Sequence, residues 1–152
     1  MVAYFSCSGR TKKVAEDLNS VVNGFLYEIK PVISYTNEDL DWTNENSRSS
    51  LEMKDKSSRP DFIRDLDNID DYDTIFVGFP IWWYQAPTII NTFLESYDLS
   101  HKKVIPFATS GSSDMGNTNK YLADSCKGAI LIDGKKFNNP SLDELREWVN
   151  SL

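Results

Sequence analysis

Short apolar runs alternate with amphipathic stretches along this chain. Residues 2–5, 74–79 and 104–108 are compact and rich in aliphatic and aromatic side chains, the pattern of strands buried on both faces. Residues 25–30 and 129–132 read as two further strands. Between them, Val14, Leu18, Val21 and Val22 recur at helical spacing and predict a helix over 11–22. Helices are also predicted over 88–96, 115–127 and 142–151. Pro87 stands at the start of the first of these, where its missing N–H costs nothing. Ser141 and Glu144 form a capping box before the last, whose apolar face is Leu142, Leu145, Val149 and Leu152. Strand–helix alternation of this kind favours a parallel sheet covered by helices on both faces.

One stretch breaks the rhythm. Residues 34–71 are rich in Asn, Ser, Asp and Glu, with Leu40, Trp42, Leu51, Met53 and Phe62 scattered among them. Short helices are predicted at 49–54 and 61–69. The segment is either a surface excursion packed by Trp42 or a flap over a ligand cleft or partner surface. Arg48 is not assigned to a site.

The turn after the first strand carries the most specific chemistry. Ser6-Cys7-Ser8-Gly9-Arg10-Thr11 lies between a strand and a helix N-terminus. Unpaired backbone N–H groups, the positive end of the helix dipole and several hydroxyls converge there, which suits a phosphate. Gly9 lets the backbone approach a ligand closely. Lys12 and Lys13 place positive charge where it opposes the helix dipole, a penalty a bound anion would offset. The nucleotide-triphosphatase loop and the dinucleotide fingerprint are both absent. Cys7 and Arg10 have only two residues between them, too few for the Cys-x-x-x-x-x-Arg loop of a tyrosine phosphatase.

Composition narrows the rest. At 152 residues, 40% of them hydrophobic, the chain is read as one domain spanning 1–152. It has no apolar run approaching the roughly 20 residues of a membrane span and no signal-peptide pattern, so cytoplasm is the expected location. Two cysteines, Cys7 and Cys126, make no disulfide framework, and one histidine, His101, makes no metal site. A net charge of −7 argues against a nucleic-acid role and leaves anion binding to local groups.

Two more loops complete a pattern. Pro80-Ile81-Trp82-Trp83-Tyr84 follows the 74–79 strand, and Thr109-Ser110-Gly111-Ser112-Ser113 follows the 104–108 strand. With Ser6, Ser8, Gly9, Arg10 and Thr11 matching Ser/Thr-x-Ser/Thr-Gly-x-Thr, the chain resembles flavodoxin-fold flavoproteins from Val2 to the last helix. Arg10 departs from the Asn most often found at its position. The resemblance implies a three-layer α/β fold with five parallel strands in the order 2-1-3-4-5, and a ligand outside the carboxyl ends of strands 1 and 3. It implies FMN as cofactor, and the lack of a dinucleotide fingerprint argues against FAD.

On this resemblance, the hydroxyls of Ser6, Ser8 and Thr11 and the amides of Gly9, Arg10 and Thr11 would meet the phosphate. Three consecutive aromatics in a proline-bounded loop cannot all face inward, so at least one of Trp82, Trp83 and Tyr84 would stack on or edge the flavin ring. Residues Thr109 to Ser113 would bring amides to its pyrimidine edge, with Gly111 free to take a positive φ. That third loop has no aromatic, which leaves one ring face open. The expected activity is an FMN-dependent oxidoreductase linked to a nicotinamide nucleotide or a quinone, with a one-electron carrier serving a redox partner protein as the alternative. No side chain is assigned as acid or base, since the flavin supplies the chemistry.

Overall fold

The computed structural model describes residues 1–152. Six strands, β1 (Val2–Tyr4), β2 (Leu26–Glu28), β3 (Thr74–Pro80), β4 (Lys103–Thr109), β5 (Ile130–Leu131) and β6 (Lys135–Phe137), form one parallel sheet. Its order is β2-β1-β3-β4-β5, with β6 continuing beside β4. Helices α1 (Arg10–Val22), α2 (Arg48–Lys54), α3 (Thr88–Glu95), α4 (Thr118–Leu122) and α5 (Leu142–Asn150) complete the fold. The 2-1-3-4-5 order and the two covered faces are those expected from the sequence. No helix is long and apolar enough to cross a membrane.

Period-two alternation sorts the strand side chains into two cores. Ala3, Phe5, Ile75, Val77, Phe79, Val104 and Ala108 face α3 and the 34–71 segment. Val2, Tyr4, Phe76, Ile105 and Phe107 face α1 and α5, where Val14, Leu18, Leu145 and Trp148 meet them. Gly78 falls on this second face, and its missing side chain is the space the Phe107 ring fills. A Cβ at Gly78 would overlap that ring. Gly78→Ala should therefore cost about 1–3 kcal/mol, read from the urea unfolding midpoint; an unchanged midpoint would show that Phe107 moves freely.

The sixth strand has a traceable cause. The backbone polar groups of even-numbered residues around β4 point along the sheet to the fifth strand, and the carbonyls of Lys102 and Val104 accept from the amides of Ile130 and Ile132. Pro106 is next in that row and has no N–H to give. The Ile132 carbonyl accepts instead from the Asn119 side-chain amide at 2.9 Å. The ladder lapses there and resumes at Phe107–Lys135, so the expected 129–132 strand is β5 alone and β6 lies beyond the expected range.

Two helix expectations are corrected. Over 115–127 only α4 is α-helical, followed by a 3-10 turn at Ala123–Cys126. Gly116 has φ 51°, outside any helix, so it does not cap residues 115–127 as one unit. Nor is there a helix over 61–69: Phe62 bridges antiparallel to Pro31, and the Ile63 amide donates to the Lys30 carbonyl. The 49–54 helix is present as α2, begun one residue earlier, with Ser47 accepting from the Ser50 amide. Ser141 caps α5 by accepting from the Glu144 amide.

The 34–71 segment is not packed by Trp42, which is 74% exposed. Its anchors are Met53, Phe62 and Ile69, all buried. Phe62 lies 5.7 Å from the Phe93 ring of α3.

Candidate functional site

All three loops picked out by their residues leave the carboxyl ends of neighbouring strands β1, β3 and β4, so the topology brings them together. They are joined to one another. The Ile81 amide donates to the Thr109 carbonyl at 3.1 Å, and the buried hydroxyls of Thr11 and Thr109 share a hydrogen bond of 2.7 Å.

The first loop enters α1 through Gly9 at φ 91°, a left-handed conformation that favours glycine. The amides of Arg10, Thr11 and Lys12 have no acceptor in the protein, as expected for the first turn of a helix. The Gly9 amide differs from its expected role: it donates to the Ser6 hydroxyl at 3.2 Å, so both groups brace the loop. Ser8, Gly9, Arg10 and Lys13 open onto a cavity of about 270 Å³. Lys13 is paired with Asp17 on the same helix, which contributes to the same cavity. The far wall is Asn139 and Pro140, from the loop between β6 and α5. Arg10 reaches across to that loop and donates to the Asn138 Oδ1 at 2.6 Å. Sequence reasoning missed this wall, because Asn-Asn-Pro before a helix reads only as a turn.

The second loop is a two-residue hairpin. Trp82 and Gln85 exchange both backbone hydrogen bonds, at 3.0 and 3.1 Å. Trp83 and Tyr84 between them have φ 49° and 62°. Asn-Gly is the preferred pair for such a turn, and bulky residues there store strain. The three aromatics divide as their crowding requires. Trp82 turns inward and packs edge-on to Phe5 and Tyr35 at 5.8 and 5.5 Å, while Trp83 and Tyr84 are 45% and 61% exposed. Pro80 ends β3 and Ile81 packs half-buried against the core.

Behind Trp82 lies a support that the sequence did not announce. The Arg48 guanidinium stacks 3.7 Å from the centre of the Tyr35 ring and donates to Glu52 at 2.9 Å. The Tyr35 hydroxyl donates to the same carboxylate at 2.6 Å. Arg48, unassigned from sequence, thus buttresses the aromatic loop from α2.

The third loop is small and polar. Thr109 is buried at the end of β4, and the Ser110 hydroxyl accepts from the Ser113 amide at 2.9 Å. Gly111 and Ser112 are exposed. Gly111 does not use the positive φ open to it; Gly116 does, and a Cβ there would stand 2.6 Å from the Tyr84 carbonyl. That carbonyl accepts from the Asn117 amide at 3.1 Å, which ties the second loop to α4.

Neither cysteine is poised for reaction. Cys7 is exposed, yet the protein around its thiol desolvates it and pushes it up to about 11, against the opposing charge of Arg48. It is neutral at ordinary pH and a weak nucleophile. Cys126 is buried, which also raises its thiol, and it donates to the Leu122 carbonyl at 3.4 Å.

Solved structures similar to this chain include flavoproteins. A candidate flavoprotein from Bacteroides eggerthii is 45% identical, with a TM-score of 0.94 over 99% of this chain and 94% of that one. Another, from Bacteroides uniformis, is 47% identical with the same TM-score, over 99% and 96%. A Lactobacillus acidophilus flavoprotein solved in complex with FMN is 26% identical, with a TM-score of 0.73 over 89% and 90%. No curated protein matches the sequence. The family model described as flavodoxin matches residues 1–152 in full, and the chain belongs to the flavodoxin family.

Proposed function

We propose that this chain, acting as one domain over residues 1–152, holds FMN and works as a cytoplasmic flavodoxin-like oxidoreductase between a nicotinamide nucleotide and a quinone. The FMN reading is supported by donors that match a phosphate monoester. Three amides without acceptors stand at the head of α1, Ser8 and Arg10 border the cavity beside them, and Gly9 keeps a Cβ out of the loop. Arg10, Thr11 and Lys12 would hold the phosphate by their amides. Exposed Trp83 or Tyr84 would cover one ring face, and the Ser110–Ser113 amides would meet the pyrimidine edge. When bound, FMN supplies the acceptance and donation of electrons or hydride. No second phosphate loop is present to favour FAD.

The observation that carries the enzyme reading is the asymmetry of the ring-facing loops. Both exposed aromatics belong to one turn, whereas Ser110 to Ser113 has no side chain large enough to cover the opposite face. An open face admits a stacked reactant. The chain's part is then to orient the ring, to keep Trp82 fixed through Tyr35, Arg48 and Glu52, and to leave room above the third loop.

The test is anaerobic addition of NADH or NADPH to the FMN-loaded protein, followed by a quinone. Measurable turnover is expected, and Ser112→Tyr should suppress it while FMN stays bound. A carrier would show no direct nicotinamide oxidation and would take electrons only from a separate reductase protein; that result would replace the enzyme reading.

A further inference from the structure

A second cleft adjoins the same aromatic turn. Trp83 forms one wall and Trp42, from the 34–71 segment, another, around a cavity of about 590 Å³. That lies within the roughly 300–1,000 Å³ of small-molecule sites. Two indoles exposed to 45% and 74% face a shared space, and Trp83 is held there at a positive φ that burial does not repay. Met53, buried, adds a polarisable thioether. Trp42 does not hang on a loose chain: the Asp41 carboxylate accepts from the Thr43 amide at 3.0 Å, and the Asn44 amide donates back to the Asp41 carbonyl.

The polar groups narrow the ligand. Lys54 borders the cleft with its ammonium donating to the Glu45 carbonyl at 2.9 Å, which leaves two of its three N–H donors for another acceptor. The Ser50 hydroxyl is committed to Ser47 and to the Asn44 carbonyl. Lys54 and the carboxylate of Glu45 balance in charge, so the cleft offers a pyrophosphate no net attraction. It suits a neutral, planar ring with a carbonyl oxygen to accept from Lys54.

We propose that the Trp42–Trp83 cleft, with Met53 and Lys54, is the binding subsite for a quinone. This rests on the reading of the Trp82–Gln85 turn as flavin-facing, because Trp83 would then separate flavin from quinone by a single side chain.

Equilibrium dialysis of duroquinone against the FMN-loaded full chain tests it. Duroquinone has every ring position substituted and does not readily alkylate the exposed Cys7. Saturable binding is expected, weakened about fivefold or more by Trp42→Ala and largely restored by Trp42→Phe, with FMN affinity unchanged. Trp42 is exposed, so the variant keeps its fold. Unchanged quinone affinity in Trp42→Ala would overturn the proposal. So would an equal loss of FMN, which would put the flavin in the cleft, or a loss confined to the nicotinamide nucleotide. Quinone binding that depends on Trp42 supports the cleft even if turnover is absent; absent turnover overturns only the reductase reading.

Discussion

Replacing Ser8 and Thr11 together by alanine should lower FMN affinity by about tenfold or more while changing riboflavin affinity much less. Hydrogen bonds to a charged acceptor are each worth about 1.5–3 kcal/mol, and about 1.4 kcal/mol is a factor of ten. Tenfold is therefore the floor. Riboflavin has the same ring and ribityl chain without the phosphate, so the ratio of the two losses isolates the first loop. The double variant should also melt earlier, because Thr109 is buried and its hydroxyl would lose its partner. Fluorescence titration with each ligand below the melting range separates the two effects. Equal losses for FMN and riboflavin would mean that the loop does not hold the phosphate.

Changing Trp83 and Tyr84 to Asn and Gly should make the protein more stable and a poorer flavin binder. Both residues occupy positive φ, a conformation costing about 1–3 kcal/mol for each unsuited side chain. Asn-Gly takes that turn with little strain. Since the two rings are 45% and 61% exposed, their removal forfeits little burial. Thermal unfolding of the flavin-free variant should rise by roughly 2–4 °C for each kcal/mol recovered. FMN affinity should fall by about tenfold or more, because stacking area is lost with both rings. A drop in apo stability would show that the turn is not strained, and unchanged FMN affinity would move the ring elsewhere.

The strands with clear apolar runs were legible, because burial on both faces demands such runs whatever the rest of the chain does. Helix α1 and the Ser141 cap were legible for local reasons: a 3.6-residue period and a side chain bonding its own neighbour. What failed was set by distant partners. Pro106 reads as an ordinary strand residue until its neighbour strand needs an N–H from it. The 115–127 pattern is helical in period, but Gly116 adopts a positive φ against the Tyr84 carbonyl, and no local rule contains that contact. Trp42 was expected either to pack the segment or to serve a flap, and its exposure excludes the first. In the candidate site, hydroxyls, glycine and aromatics after strands were visible as chemistry. Asn139 and Pro140 were not, since only the path of the chain between β6 and α5 brings them to the cavity. Arg48 likewise has meaning only through Tyr35, thirteen residues before it in the chain.

The bond between Thr11 and Thr109 has a direction as well as a length. Each hydroxyl owns one proton. If Thr11 points its proton outward to an anion at the head of α1, it must accept the proton of Thr109, and the pair is polarised one way. If Thr11 spends its proton on Thr109, the opposite orientation holds and Thr109 is free to donate elsewhere. Charge at one end of the site thus selects between two states of a buried two-proton relay that ends at the base of the third loop. Polarisation along such a relay strengthens its outer bonds. Thr109 borders the cavity at the head of α1, so an anion held there would fix the direction of the pair with no atom heavier than hydrogen having to move.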